Sequence, residues 1–261
     1  MSALKPIFDP KAAGRPLKVA AFMSGSGTNI RRLLERGSPH YEIAFIFSDV
    51  AHEKCQGQNI AHEYGLPYFA YDTRRFHELK GVKRSVLNPE GLAARREYDQ
   101  VAAGLVAQFK VDVIALGGYM SFLTLPGGVN VHPADLSLTN DKGQRRYVGD
   151  DAVYDAIMAG EKELRSSTLW IDQGVDSGPL LMVSEALPVE LPAPLEELKA
   201  DPDELRNLAD EHQEQLKERG DWVVFPLTME LIGQGRLALD ENGVTHLDGK
   251  PYPRGVRPSD I

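Results

Sequence analysis

Through its first half the chain alternates short apolar runs with segments of helical spacing, and this constrains its fold more than any other feature. Residues 17–23 (LKVAAFM) read as a buried strand, and a helical pattern opening at Ile30 closes near Gly37. Residues 41–50 (YEIAFIFSDV) give a second strand, 56–64 a short helix and 67–71 a third strand. Strands separated by helices pair in parallel, because each connection carries the chain back along the sheet before the next strand starts. The expected fold is therefore α/β, with a doubly wound, mostly parallel sheet. Residues 74–95 are charged and interrupted by Gly81, Pro89 and Gly91, which predicts a surface excursion. A helix is expected over 96–110, with Tyr98, Val101, Leu105 and Phe109 at helical spacing, and residues 111–116 (VDVIAL) supply a fourth, central strand.

Five residues, 124–128, separate Phe122 and Leu123 from the next apolar strand. That is too few for a helical crossover, which takes about a dozen. Residues 134–150 form a long polar loop, of the kind that often serves as a lid or binding loop. A helix over 151–160, a strand over 166–171, an acidic turn over 172–179 and a strand over 180–189 follow. From 192 to 219 the composition turns acidic and helix-forming, which predicts an exposed helix or helix pair ending at Gly220. A further helix covers 221–232, with Pro226 near its start or kinking it, and 236–239 with 244–247 form a closing hairpin turning at Asn242-Gly243. The organisation expected is an N-terminal arm over 1–16, one α/β domain over 17–190, and C-terminal helices and a hairpin over 191–261 packed on that domain.

Composition narrows the function. A net charge of −9 argues against a nucleic-acid or anionic-membrane partner, so any bound phosphate must be held by local dipoles. The single cysteine, Cys55, allows neither a disulfide framework nor a cysteine zinc cluster, and no other ligand cluster suggests a metal. No apolar run approaches the ~20 residues that span a bilayer, and the first 16 residues lack an apolar signal core, so a cytoplasmic location is expected.

Three strand ends carry the chemistry. The first strand runs into Ser24-Gly25-Ser26-Gly27-Thr28-Asn29 and then a helix. Glycines allow close backbone approach, and a helix start presents free N–H groups and a favourable dipole, so this turn suits a phosphate. It also suits a purely structural turn. Asn130 and His132 lie two apart on a strand and share one face, opposite Val129 and Val131, with Pro133 ending the ladder. An amide donor beside an imidazole fits a developing oxyanion, though the same pair can cap a turn. Asp176 sits in a turn bracketed by Gly174 and Gly178, and a carboxylate close to His132 would orient its ring. All three features follow strands, where ligands bind in open α/β sheets.

At these residues the chain resembles the folate-dependent formyltransferases, and within them the glycinamide ribonucleotide formyltransferases of purine biosynthesis. The family's S-G-x-G-[ST]-N appears as residues 24–29, its N-[IV]-H-P as 130–133, and its D-x-G-P as 176–179. Phe225-Pro226 followed by Gly235-Arg236-Leu237 is similar to its closing Y-P…G-R-L. The resemblance spans about residues 17–250 and implies a Rossmann-like formyltransferase fold. It implies transfer of the formyl group of 10-formyltetrahydrofolate, the donor co-substrate, to a primary amine through a tetrahedral intermediate, without a metal. Asn130 and His132 would stabilise the oxygen of that intermediate, and Asp176 would tune His132 and relay protons. Gly27, Thr28 and Asn29 would bind the nucleotide's phosphate. Tyr119, Met120, Ser121, Phe122 and Leu123, with Gln173, Gly174 and Val175, would line the folate, and Asp221 falls near the family's amine-binding glutamate. The expected partners are thus a small nucleotide substrate and folate, with the protein a monomer or homodimer.

The chain also departs from the family. Ser121 stands where the family usually has arginine, and Leu169 where the ribonucleotide enzymes carry a second histidine. The segment before Asn130 is shorter than usual, and Ala134-Asp135-Leu136-Ser137 leads into a different polar loop, with Tyr147-Val148-Gly149 a loose match. These changes leave Asn130, His132 and Asp176 in place and open the choice of acceptor amine. A hydrolase of the same folate, a transferase for an amino sugar nucleotide, and a nucleotide-binding sensor are the competing readings. The hydrolase normally carries an N-terminal regulatory domain, for which the residues before the first strand are too few, and the sensor predicts loss of one of the three residues.

Overall fold

The computed structural model describes residues 4–261 and contains two compact units, one of residues 8–130 and one of residues 131–261 with residues 4–7. In the first unit, β1 (Leu17–Met23), β2 (Tyr41–Ser48), β3 (Tyr68–Ala70), β4 (Val113–Leu116) and β5 (Gly128–His132), which leads out of it, pair in parallel in the order β3-β2-β1-β4-β5. β1 and β4 are buried almost throughout, as parallel strands covered on both faces require. The order reverses between β1 and β4. The loops that leave these two strands therefore flank a topological switch point, where such sheets bind ligands.

A short helix, α1 (Pro10–Ala13), precedes β1, so part of the expected arm is ordered: the Asp9 carboxylate accepts from the amides of Lys11 and Ala12, both at 3.0 Å. The crossovers are α2 (Thr28–Arg36), α3 (Gly57–Glu63), α4 (Thr73–Lys80) and α5 (Pro89–Phe109). The surface excursion expected over 74–95 is thus α4 and the first turns of α5, which starts at Pro89 rather than at 96. Proline is well placed at a first helical position, where its missing N–H costs nothing, and the Asn88 side chain caps the helix by accepting from Gly91 N at 2.7 Å. This earlier start brings Arg95 into the helix, where it shares a buried face with Asp99. β4 joins β5 without a helix, as the short spacing predicts.

The second unit contains α6 (Ala152–Met158), β6 (Glu163–Leu164), β7 (Ser167–Trp170), β8 (Leu180–Val183), β9 (Leu187–Pro188), α7 (Leu195–Leu198), α8 (Pro202–Leu216), α9 (Trp222–Gly233), β10 (Leu237–Leu239), β11 (Thr245–Leu247) and β12 (Lys250–Tyr252). The single strand expected over 180–189 is two: β8 pairs antiparallel with β7, and β9 with β6. Ser184 divides them, its hydroxyl accepting from Ser166 N at 2.9 Å and donating to Glu185 O at 2.8 Å, side-chain bonds that compete with a ladder. Gly220 does not end the helix either. A π-turn over Lys217–Asp221 carries α8 directly into α9, with Pro226 inside the latter. The acidic segment is not a wholly exposed appendage, because Leu205, Ala209 and Leu216 bury one stripe of α8 in a cluster with Val153 and Ile157 of α6. The closing hairpin gains a third strand, β12, on β11.

Candidate active site

His132 ends β5 and is buried, two residues beyond the half-buried Asn130 on the same strand, with Val129 and Val131 buried between and beside them. Its Nε2 lies 3.2 Å from the backbone oxygen of Tyr147. A carbonyl can only accept, so Nε2 carries a hydrogen and Nδ1 is the nitrogen turned elsewhere. Nδ1 lies 3.6 Å from Oδ2 of Asp176, with the two side chains only 8% and 10% exposed. That separation is too long for a direct hydrogen bond but within reach of one bridging water.

Asp176 is held where it is by the turn around it. Its φ of +49° is left-handed, a conformation aspartate tolerates better than most residues. Gly178 closes the turn against Trp170: a Cβ there would fall 1.9 Å from the Trp170 backbone oxygen, so no side chain fits. The loop expected over 134–150 reaches this turn. Gly149 N donates to Asp176 Oδ2 at 3.2 Å, and the Arg145 guanidinium donates to the backbone oxygens of Asp176 and, at 2.7 Å, Gly178. Burial lowers the Arg145 pKa against the pull of Asp176 and Asp172. Burial likewise pushes up the Tyr147 hydroxyl, which donates to Glu161 Oε1 at 2.7 Å.

In the 8–130 unit the glycine turn packs closely on Met23 and Ile60. Gly27 caps α2 with φ +68°, and a Cβ on it would fall 2.5 Å from Met23 Cε and 2.7 Å from Ile60 Cδ1. Thr28 is exposed and Asn29 buried at the start of α2, whose first amides have no partners within the helix. Ser24 ties this turn to the segment after β4. Its N–H donates to Gly118 O at 3.0 Å, and its hydroxyl donates to Asp49 Oδ1 at 2.6 Å while accepting from Met120 N at 2.9 Å. The Ser121 hydroxyl donates to the other Asp49 oxygen.

Residues 17–201 match the family model described as formyl transferase. The chain belongs to the formyl transferase family. It is 26% identical over 247 residues to the phosphoribosylglycinamide formyltransferase of Haemophilus influenzae, covering 91% of this chain and 96% of that one. Its fold is similar to the crystal structure of phosphoribosylglycinamide formyltransferase from Anaplasma phagocytophilum, with a TM-score of 0.65 at 22% identity over 94% of this chain and 100% of that chain. It is also similar to a formyltetrahydrofolate deformylase from Pseudomonas syringae, with a TM-score of 0.60 at 17% identity over 90% of this chain and 67% of that chain.

The other residues marked in this formyltransferase's sequence lie in distinct settings. Tyr119 and Leu123 are buried, Ser121 and Phe122 half-buried, and Met120 is 66% exposed on the loop after β4. Gln173, Gly174 and Val175 are exposed on the turn before Asp176, where Asp172 accepts from Gly174 N at 2.9 Å and from the Ser177 hydroxyl at 2.8 Å. Asp221 is buried at the end of the π-turn. Among the described residues no group of three or more His, Cys, Asp or Glu is arranged to hold a metal ion, and no helix is long and apolar enough to cross a membrane.

Sequence reasoning passed over Asp49, Arg145, and the Arg95–Asp99 pair. Asp49 carried a signal, since it directly follows a buried strand at the edge where ligands bind. Arg145 carried none beyond its place in a long loop.

Proposed function

We propose that this enzyme transfers the formyl group of 10-formyltetrahydrofolate to the primary amine of glycinamide ribonucleotide, a step of purine biosynthesis. The observation that carries the reading is the His132–Asp176 pair at 3.6 Å, its side chains only 8% and 10% exposed, in a chain of the formyl transferase family. The amine nitrogen adds to the formyl carbon. Asn130 and His132 stabilise the oxygen as it takes negative charge, in a setting where preformed donors are worth more than in water. Asp176 orients the His132 ring. Collapse breaks the bond between the formyl carbon and N10 of the folate, which takes up a proton as the amine gives one to water beside Asp176. Gly27, Thr28 and Asn29 hold the nucleotide's phosphate; residues 119–123 and 173–175 line the folate; Asp221 receives the amine.

The test is formyl transfer from 10-formyltetrahydrofolate to a panel of amines that includes glycinamide ribonucleotide and an amino sugar nucleotide, with a no-amine control. Product with glycinamide ribonucleotide is expected. Formate release without any amine would favour instead the deformylase chemistry named for the Pseudomonas syringae neighbour.

A further inference from the structure

Helix α5 carries an ion pair that neither the reaction nor local stability accounts for. Arg95 is 4% exposed and Asp99 not at all, with Nη2 to Oδ1 at 2.8 Å. Desolvating two charges is costly, and a buried pair often does no more than offset that cost. Its other contacts show where the energy goes. Arg95 Nη2 donates to the Tyr119 hydroxyl at 2.8 Å. Asp99 Oδ2 accepts from Thr124 N at 2.8 Å and from the Thr124 hydroxyl at 2.7 Å. The guanidinium lies 4.5 Å from the centre of the Tyr98 ring and 5.8 Å from that of Tyr119, and its Nη1 reaches Thr73 Oγ1 at 3.4 Å. Burial opposes the charge of Arg95, but Tyr119 and Asp99 outweigh it and hold its pKa above the usual value.

The two side chains therefore grip both ends of one loop, 119–124, in which Met120 is 66% exposed and Ser121 and Phe122 are half-buried. That loop leaves β4 at the switch point of the sheet, and its near end is also pinned by Ser24 and Asp49. We propose that Arg95 and Asp99 are positioning residues that hold the 119–124 loop in the shape that receives the folate donor. This rests on the functional reading above. Neither touches the reacting atoms, so their loss acts on donor affinity rather than on the chemical step.

The test uses Thr124→Val, which keeps the side chain's shape and removes its hydroxyl bond to Asp99, with Thr124→Ser as the conservative rescue. Thr124→Val is expected to raise the KM for the folate donor about tenfold, as loss of a hydrogen bond to a buried charge would. kcat and the KM for the amine should stay within about twofold. Amide hydrogen exchange over 119–124, measured without ligand, should quicken, and Thr124→Ser should restore both readouts. Asp99→Asn should act in the same direction; should it fail to fold, Thr124→Val alone decides. Unchanged exchange in 119–124, an unchanged donor KM, or an equal rise in both KM values would overturn the proposal. A wild-type protein that transfers no formyl group would instead defeat the functional reading, and that is seen before any variant is compared.

Discussion

Replacing Asp176 by asparagine isolates the electrostatic part of the proposed mechanism. Asparagine has nearly the same shape, can accept from Gly149 N through its oxygen, and leaves the Arg145 bonds untouched, because those run to backbone oxygens. What disappears is a charge 3.6 Å from Nδ1 of His132, between side chains 8% and 10% exposed. At an effective dielectric of about 20, unit charges at that distance attract by about 4–5 kcal/mol. Only the part that develops as the ring gathers positive charge in the transition state accelerates the reaction. Taking that part as about half, about 2 kcal/mol, the substitution should lower kcat about thirtyfold. The assay is steady-state formyl transfer with each substrate varied, and both KM values should move little. A well-folded Asp176→Asn enzyme with kcat within about twofold of wild type would mean that this charge does not act on the transition state.

Three further outcomes follow from the same structure. Gly27→Val places a branched side chain at a left-handed position, pressing on the Met23 and Ile60 side chains, and should raise the KM for the amine substrate far more than that for the folate; equal rises, measured by the same kinetics, would count against a phosphate at this turn. Leu205→Ala in α8 empties a site that is 1% exposed and should cost about 2–5 kcal/mol in urea unfolding; a negligible loss would restore the view of this segment as an appendage. The His246–Asp240 contact at 3.1 Å raises the histidine's pKa, so its contribution is complete below the ordinary value of 6.5 and fades as pH rises through the raised one. Asp240 is lowered from 3.8, first by the Val244 amide and then by His246, so its contribution fades only as pH falls through the depressed value. His246→Gln should therefore lower Tm at pH 5.5 and not at pH 9, and a difference as large at pH 9 would oppose the assignment.

Much of the fold was legible because it is written in local periods. The alternation of strand and helix over 17–71, the strand at 128–132 and the closing turn at Asn242-Gly243 each depend on residues near one another in the chain. The misreadings share a cause. Pro89, Gly91 and the charges up to Arg95 look like a broken surface segment, since sequence alone does not say whether a charge has a buried partner. Gly220 looks like a helix stop, yet it lies in a π-turn that passes the chain on to α9. Ser184 splits a strand through a bond to Ser166, which lies well away in the sequence.

The same division holds for the candidate site. Local pattern is enough to place Asn130 and His132 on one strand face, because side chains alternate along any strand, and to put the formyl transferase motifs at strand ends. It also marked Gly27 and Gly178 as positions where the backbone turns sharply. Long-range packing is what brings Asp176 to 3.6 Å from His132, carries Tyr147 and Gly149 to the same cluster, and buries Arg95 and Asp99 against the 119–124 loop. These are contacts between residues far apart in the chain. Whether a charged side chain meets water or a partner there depends on how distant segments pack, which no local pattern encodes.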